Sequence, residues 1–318
     1  MRNESEHVRR ALPRWAGRKV LCEFRKVGTG REMCAELLAD SNEKAYRVHV
    51  NMRNASARSF VETRASQGRV LFSLADLCAS TGLSGPAARA QLRRLPQVVR
   101  VAPRGDLFLY VAPEHRLVGA PPYEWWLDAC FAHWKEPYYV GLLSAAAILG
   151  ASHQAVQVVQ VVVSTAHPRR DLRIGRLRIK FFQRKDVAKV PVFEPSPAHA
   201  PLRVSTAGAT MLDVVRYAKR LGGMGRACEV VEELVPVTKK SSLREALGAG
   251  VVEASAVQRL GLILDGMGAE GLANVAENWL SGRRLAVVLL DPGQGASEAG
   301  DAAEPWMVIP NVKLETNA

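Results

Sequence analysis

The side chains best equipped for recognition chemistry lie between Ser84 and Arg104. Arg89, Arg93 and Arg94 can each donate a fork of hydrogen bonds to guanine edges or phosphate oxygens, and Gln91 stands among them. Ser84 and Ala87 precede them and are small, so a helix starting there could enter a major groove closely. Arg100 and Arg104 follow at positions suited to phosphates or to a minor groove.

Residues 73–111 have to present these groups. Ser73 with Asp76 three residues on is a capping-box-like helix start, and Leu74, Leu77 and Cys78 give that helix an apolar face. Gly82 tolerates the positive φ of a tight turn, Leu83 fills the angle, and Ser84 caps a second helix with Pro86 in its first turn. That helix is expected to run to about Leu95. Ala88, Leu92 and Leu95 face inward, which leaves Ala87, Arg89, Gln91, Arg93 and Arg94 wholly or partly outward. Pro96 stops the helix, Val98, Val99 and Val101 open a strand, residues 103–106 turn, and Leu107 to Val111 return. The stretch reads as a helix-turn-helix with a two-stranded wing, preceded by a helix over 57–67 and a short strand over 70–72. The plainer alternative is a small helical hairpin carrying solvated arginines.

A second group of cations, Arg169, Arg170, Arg173, Arg176, Arg178 and Lys180, interleaves with Leu172, Ile174, Leu177, Ile179 and Phe181. Period-two spacing predicts an amphipathic strand with one basic face, paired as a hairpin with the β-branched run at 155–163. Like charges along one face repel, which favours a partner for this surface; a solvated face is the alternative. Trp125, Trp126, Phe131, Trp134, Tyr138 and Tyr139 could stack on bases, but aromatics at helical spacing more often fill a core.

Catalytic signatures are missing from the sequence. Asp171 and Asp186 are flanked by cations without a nuclease-like carboxylate spacing, and His153, His167 and His199 are dispersed. No catalytic residue, metal site or cofactor is expected, and a DNA-targeted nuclease stands as the alternative reading. Five cysteines without a C-x-x-C pair indicate neither a disulfide framework nor a zinc ribbon, and fit a reducing cytoplasm. The longest near-apolar run, 139–151, is too short to span a bilayer, so neither a membrane anchor nor export is expected.

The 318 residues and 48% hydrophobic content allow two or three domains. The formal net charge of +12 favours a polyanionic partner, and its distribution is uneven. Residues 58–116 hold nine Arg against four acids, 166–189 nine Lys or Arg against two Asp, and 241–318 five against ten. The expected class is α+β: a basic extension over 1–56, with a possible helix at 30–40 and strand at 46–50, a winged helix-turn-helix domain over 57–114, a proline-rich linker over 115–122, and a larger mixed α/β domain over 123–318 with an acidic last part. Within that domain, helices are expected at 142–149, 206–221, 226–234, 241–248, 253–265 and 268–281, and strands at 285–290 and 306–310.

Residues 138–146 (YYVGLLSAA), 152–154 (SHQ), 175–182 (GRLRIKFF) and 205–223, together with FSLADLCASTGLS at 72–84, resemble the AbiEi antitoxin family of abortive-infection type IV toxin-antitoxin systems. The resemblance implies an autorepressor of its own operon, binding inverted repeats in its own promoter as double-stranded DNA. It also implies a second domain that counteracts a toxin of the nucleotidyltransferase class, whether by contact or through the toxin's target. By position, Ser84, Arg89, Gln91, Arg93 and Arg94 would fall in the recognition helix, Arg104 in the wing, and residues 138–154 and 176–182 in the antitoxin domain. The wing, RGDLFLY at 104–110, departs from the family's shorter form. A protein-interaction factor that binds no DNA is a third possibility.

Overall fold

In the computed structural model, the described residues are 8–11, 21–27, 32–38, 47–50, 56–151, 157–166, 168–195, 200–250, 252–295 and 301–312. The chain divides into two compact units, residues 1–68 with 73–96 and residues 69–72 with 97–318. It is a mixed α+β protein with several sheets.

The first unit opens with an antiparallel meander of β1 (Val8–Ala11), β2 (Leu21–Val27), β3 (Glu32–Leu38) and β4 (Arg47–Val50). The helix expected through 30–40 is therefore a strand. Pairing on both sides, with β2 and with β4, supplies backbone hydrogen bonds that override the local helical preference of that stretch. The strand expected at 46–50 is β4.

Three helices follow: α1 (Ala57–Ser66), α2 (Leu74–Thr81) and α3 (Gly85–Leu92). Each begins on a serine whose hydroxyl accepts from the third helical amide: Ser56 from Ser59, Ser73 from Asp76, and Ser84 from Ala87. The capping box at Ser73 is reciprocal, the Asp76 carboxylate accepting the Ser73 N–H at 3.0 Å. Gly82, at φ 71°, ends α2 with its N–H on the Cys78 carbonyl. Ala57, Val61, Leu74, Leu77, Ala88, Leu92 and Leu95 form the buried side of this part.

The second unit opens with a small sheet ordered β5 (Leu71–Ser73), β7 (Leu107–Tyr110), β6 (Val98–Arg100); β6 and β7 are an antiparallel hairpin. Its main sheet runs β10 (Leu172–Ile174), β11 (Leu177–Arg184), β9 (Val159–Ser164), β8 (Tyr138–Val140), β13 (Val204–Ser205), β12 (Val192–Phe193). Alternate residues serve two cores. Ile179, Phe181, Val161, Val163 and Tyr138 join α4 (Leu127–Trp134) and hairpin residues Val101, Leu107 and Leu109 on one side. Phe182, Val162 and Tyr139 join α5 (Leu142–Ile148) and the helical layer on the other.

That layer holds α6 (Ala207–Arg216), α7 (Ala218–Leu221), α8 (Met224–Leu234), α9 (Lys240–Gly248), α10 (Ala254–Gly266) and α11 (Glu270–Leu280). Every residue from Ala207 to Val215 is buried, which makes α6 the central helix. Gly208 permits this packing, since a Cβ there would lie 2.6 Å from the Leu243 backbone. The chain closes with the parallel pair β14 (Val288–Leu289) and β15 (Val308–Ile309).

Two expectations about this unit change. The basic strand at 172–182 is two strands, β10 and β11, reversing at Gly175 (φ 57°) and Arg176, and the run at 159–164 pairs with β11 in parallel rather than as a hairpin. Residues 115–122, expected as a linker, are packed in place. Ala120 and Pro121 are buried, Arg176 N–H donates to the Val118 carbonyl at 2.7 Å, and a Cβ on Gly175 would stand 2.2 Å from that same oxygen. The helices expected in this unit recur as α5 to α11, with a break at Tyr217 inside the stretch expected at 206–221.

Candidate nucleic-acid interface

Helix α3 is short, and only part of the expected set lies on it. Ser84 is its exposed N-cap, Ala87 is half-buried, and Arg89 is exposed, reaching back along the helix to within 3.5 Å of where a Cβ on Gly85 would sit. The helix ends at Leu92 rather than near Leu95. Arg93 is the C-cap and Arg94 lies beyond it, both exposed, with N–H groups bonded in the closing turn to Arg89 and Gln91 carbonyls. Pro96, which forbids a continuing helix, and Leu95, which turns into the core, account for the early stop.

Gln91 is a correction to the expected outward set. Its Oε1 accepts the Ala57 N–H at 2.8 Å, capping the first turn of α1, so the amide oxygen needed to pair with adenine is already engaged. Sequence periodicity put Gln91 at the edge of the outward face, and only the return of α1 gives it a partner.

On the hairpin, Arg104 is exposed in the turn between β6 and β7. Arg100 is exposed but folded onto the hairpin itself: Nη1 donates to the Pro103 carbonyl at 2.7 Å, and the guanidinium lies 5.3 Å from the Phe108 ring centre. It braces the turn that carries Arg104.

The six cations expected as one basic face are divided by the sheet. Arg169 is half-buried, forks onto Glu136 at 2.8 and 2.9 Å, and stacks 3.5 Å above the Trp134 ring, so its charge is met inside the fold. It is thus not a free surface cation, a correction that follows from Glu136 and Trp134 converging on one guanidinium. Arg170 is exposed beside it, in a cleft of about 610 Å³ shared with the hairpin turn 102–105, Trp134 and Phe181. Arg173 and Arg178 face each other directly across β10 and β11, both exposed. Lys180, two residues on, shares their side of the sheet and lies 5.6 Å from the Phe182 ring centre; Arg176 occupies the turn.

The aromatics at 125–139 are core: Trp126, Phe131, Tyr138 and Tyr139 are buried, and Phe131 stacks on Tyr138 at 4.3 Å. Beneath α6 lies a polar cluster that the sequence did not signal. Arg184 on β11 donates from Nη1 to Asp213 Oδ1 at 2.7 Å, and the Tyr139 hydroxyl donates to Asp213 Oδ2 at 2.6 Å. Burial pushes the Asp213 carboxyl above its ordinary value, opposed by the attraction of Arg184 and the Tyr139 hydrogen bond. Burial also pushes the Tyr139 phenol well up, with the Asp213 charge adding to it. Each carboxylate oxygen is held by a different strand of the main sheet, while Arg184 Nε is buried without a hydrogen-bond partner among the described residues, and the two bonds make the group a structural tie between sheet and helix.

Among the described residues, no group of three His, Cys, Asp or Glu side chains is placed to hold a metal ion. Asp171 Oδ1 accepts the Phe181 N–H, and Asp186 stands 3.7 Å from Lys189. His153, His167 and His199, and the SHQ stretch at 152–154, lie outside the described residues, as does 296–300 of the loop after β14. Among the described residues no helix is long and apolar enough to cross a membrane.

Residues 139–266 match the family model of the AbiEi antitoxin C-terminal domain. No curated protein matches the chain. Among solved structures, the RV2827C protein from Mycobacterium tuberculosis is similar over 80% of this chain and 90% of that one, at 18% identity and a TM-score of 0.56, a likeness of fold. The solution structure of the antibiotic-resistance factor ANT(2'')-Ia overlaps 49% of this chain and 88% of that one at 14% identity, and the TM-score of 0.24 falls below that of a shared fold.

Proposed function

We propose, from the premise that residues 139–266 carry the AbiEi antitoxin C-terminal domain, that this chain is the antitoxin and autorepressor of a type IV toxin-antitoxin operon. The family match is the observation that carries the antitoxin half. The partner is a toxin of the nucleotidyltransferase class, and the chain acts without catalysis and without a cofactor, in the cytoplasm. Arg173, Arg176, Arg178 and Lys180 form the surface offered to it. Arg173 and Arg178 are directly opposed across an antiparallel pair, an arrangement that disfavours the isolated fold and is relieved when an acidic partner covers it.

The repressor half rests on the capped α2, the αL turn at Gly82 and the capped α3, followed by the β6–β7 hairpin. We read residues 57–114 as a winged helix-turn-helix with α3 as recognition helix. Ser84, Ala87, Arg89, Arg93 and Arg94 face the DNA, and Arg104 is the wing contact. The target is an inverted repeat in the chain's own promoter. Charge reversal at Arg89 and Arg93 together, to Glu, abolishes the promoter footprint at matched salt while leaving the thermal melt unchanged. A footprint identical to the parent's rules out α3 as the reading element. Co-expression with the product of an adjacent nucleotidyltransferase-like gene tests the antitoxin half, growth being restored by the parent and not by a chain truncated before residue 139.

A further inference from the structure

We propose that the tip of the β10–β11 hairpin, with the loop at 116–119 beside it, is the docking point for a folded protein that offers an apolar recess rimmed by carboxylates. This rests on the antitoxin reading above: it makes Leu117 the apolar anchor of the contact with the toxin and Arg176 part of its charged rim.

Loop and hairpin tip touch backbone to backbone. A Cβ on Gly119 would lie 3.0 Å from the Gly175 Cα, and one on Gly175 would lie 2.2 Å from the Val118 oxygen, so a side chain at either position would push the two segments apart. Both glycines take a positive φ, 76° and 57°. The Arg176 N–H donates to the Val118 carbonyl at 2.7 Å, and the Gly119 N–H to the His115 carbonyl at 2.8 Å. The chain is anchored at both ends of the loop, by the His115 ring edge-on to Trp125 at 5.2 Å and by the buried Ala120.

The loop is thereby held with its apolar side chains outward. Of the large apolar side chains left exposed among the described residues, Leu117 is the most exposed at 75%, and Val118, at 43%, is its neighbour in sequence; Val237 and Val287 stand singly. A lone exposed apolar group is ordinary on any surface. A pinned pair differs, because the backbone contacts that hold it leave little ordering cost to pay when a partner buries it. Charge then selects the partner. Residues 114–119 and 171–180 together hold five Lys or Arg, among them Arg116 and Arg176, against Glu114 and Asp171. An apolar centre with a charged rim is the anatomy of a protein contact, and a net basic rim calls for an acidic one opposite. A phosphodiester backbone offers Leu117 and Val118 no apolar surface to pack against.

The experiment titrates the full chain and its variants with the purified product of the adjacent nucleotidyltransferase-like gene, and separately with a duplex of the chain's own promoter. Leu117→Ala raises the Kd for that protein about thirtyfold, the size of an anchor truncation, while its thermal melt and promoter affinity stay those of the parent. Leu117→Met, which keeps the apolar bulk, stays within about threefold of the parent. Arg176→Gln slows association at low salt and matches the parent at high salt. Val287→Ala, exposed elsewhere in the unit, keeps the parent Kd. A parent Kd in Leu117→Ala overturns the proposal, as does an equal loss in Leu117→Met or in Val287→Ala. A loss of promoter affinity in place of protein affinity overturns it too, by putting Leu117 on the nucleic acid. A parent that restores growth in co-expression yet binds no such protein overturns the proposal and leaves the antitoxin reading standing; a parent that does neither removes both.

Discussion

Asp213 is a charged group buried between the main sheet and the helical layer of the second unit. The carboxylate is fully buried and is hydrogen-bonded by Arg184 and Tyr139, from two strands of the main sheet. Removing one partner of a buried pair strands the other charge, at a cost of about 3–5 kcal/mol. Asp213→Ala and Arg184→Met should each lose that much, which lowers the melting midpoint by roughly 6–20 °C at the 2–4 °C per kcal/mol expected for a unit of this size. Taking two charges out of water costs about as much as their attraction returns, so a buried pair of this kind adds little net stability. The double variant, Asp213→Leu with Arg184→Met, should therefore lie within about 1–3 kcal/mol of the parent, the residual loss coming from the Tyr139 hydroxyl left without its acceptor. Five of the six tryptophans, Trp125, Trp126, Trp134, Trp279 and Trp306, belong to this unit and Trp15 to the first, so tryptophan fluorescence in urea, read in a Trp15→Phe background, reports its unfolding. A single variant losing under about 1 kcal/mol, or a double variant losing the sum of the singles, would refute the account of the cluster as a self-compensating tie.

Other outcomes follow from the same geometry. A carboxyl raised above its unfolded value binds more protons folded than unfolded, so its contribution falls as pH rises from about 3.9 toward its folded value. Asp213→Asn should flatten that part of the stability profile, and an unchanged profile would place the titration elsewhere. Gln91→Ala should cost roughly 1–2 kcal/mol through the unpaired Ala57 N–H and leave operator base preference as it was; a changed preference with unchanged stability would return Gln91 to the reading face. A fragment ending at residue 114 should lose hydrogen-exchange protection at Val101 N–H, which in the full chain bonds the Leu107 carbonyl, because the core beneath the hairpin is gone.

What could be read from sequence was whatever local chemistry decides. Ser73, Gly82 and Ser84 each do one job dictated by a backbone amide or a positive φ, and α2 and α3 begin where those residues say. The helical period likewise placed α5 to α11 within a few residues. The failures are mostly tertiary. The apolar alternation of residues 172–182 changes phase at Gly175 and Arg176, from Leu172 and Ile174 to Leu177, Ile179 and Phe181, and the chain reverses there, with the Val118 carbonyl closing on Gly175; the single strand expected there crosses a turn that the phase change marks. Residues 32–38 are a strand because β2 and β4 pair with them, against a helical composition. Arg169 and Arg170 are identical neighbours, and only the positions of Glu136 and Trp134 separate a structural cation from an available one. The Arg184–Asp213 pair joins residues 29 positions apart in a basic strand and an apolar helix, neither of which singles them out.

The placement of the hairpin bears on how the two proposed activities could be linked. The apolar residues Val101, Leu107 and Leu109 of the β6–β7 hairpin belong to the same core as Trp126, Leu127, Phe131 and Phe181. The opposite side of the sheet bears Arg173, Arg178 and Lys180, one strand layer away from Ile179 and Phe181 in that core. A partner bound on that side presses on β10 and β11, and β11 is the strand that holds Phe181 against the hairpin and Arg184 against α6. Under the proposed function, a toxin held on that side and DNA held at the hairpin would be linked through this one strand, and by reciprocity each would change the affinity for the other by the same factor. The sign depends on whether the hairpin's DNA-bound position tightens or loosens the seat of Phe181, which makes a thermodynamic cycle of the two ligands, with Phe181→Leu as the perturbation, the direct measure of that coupling.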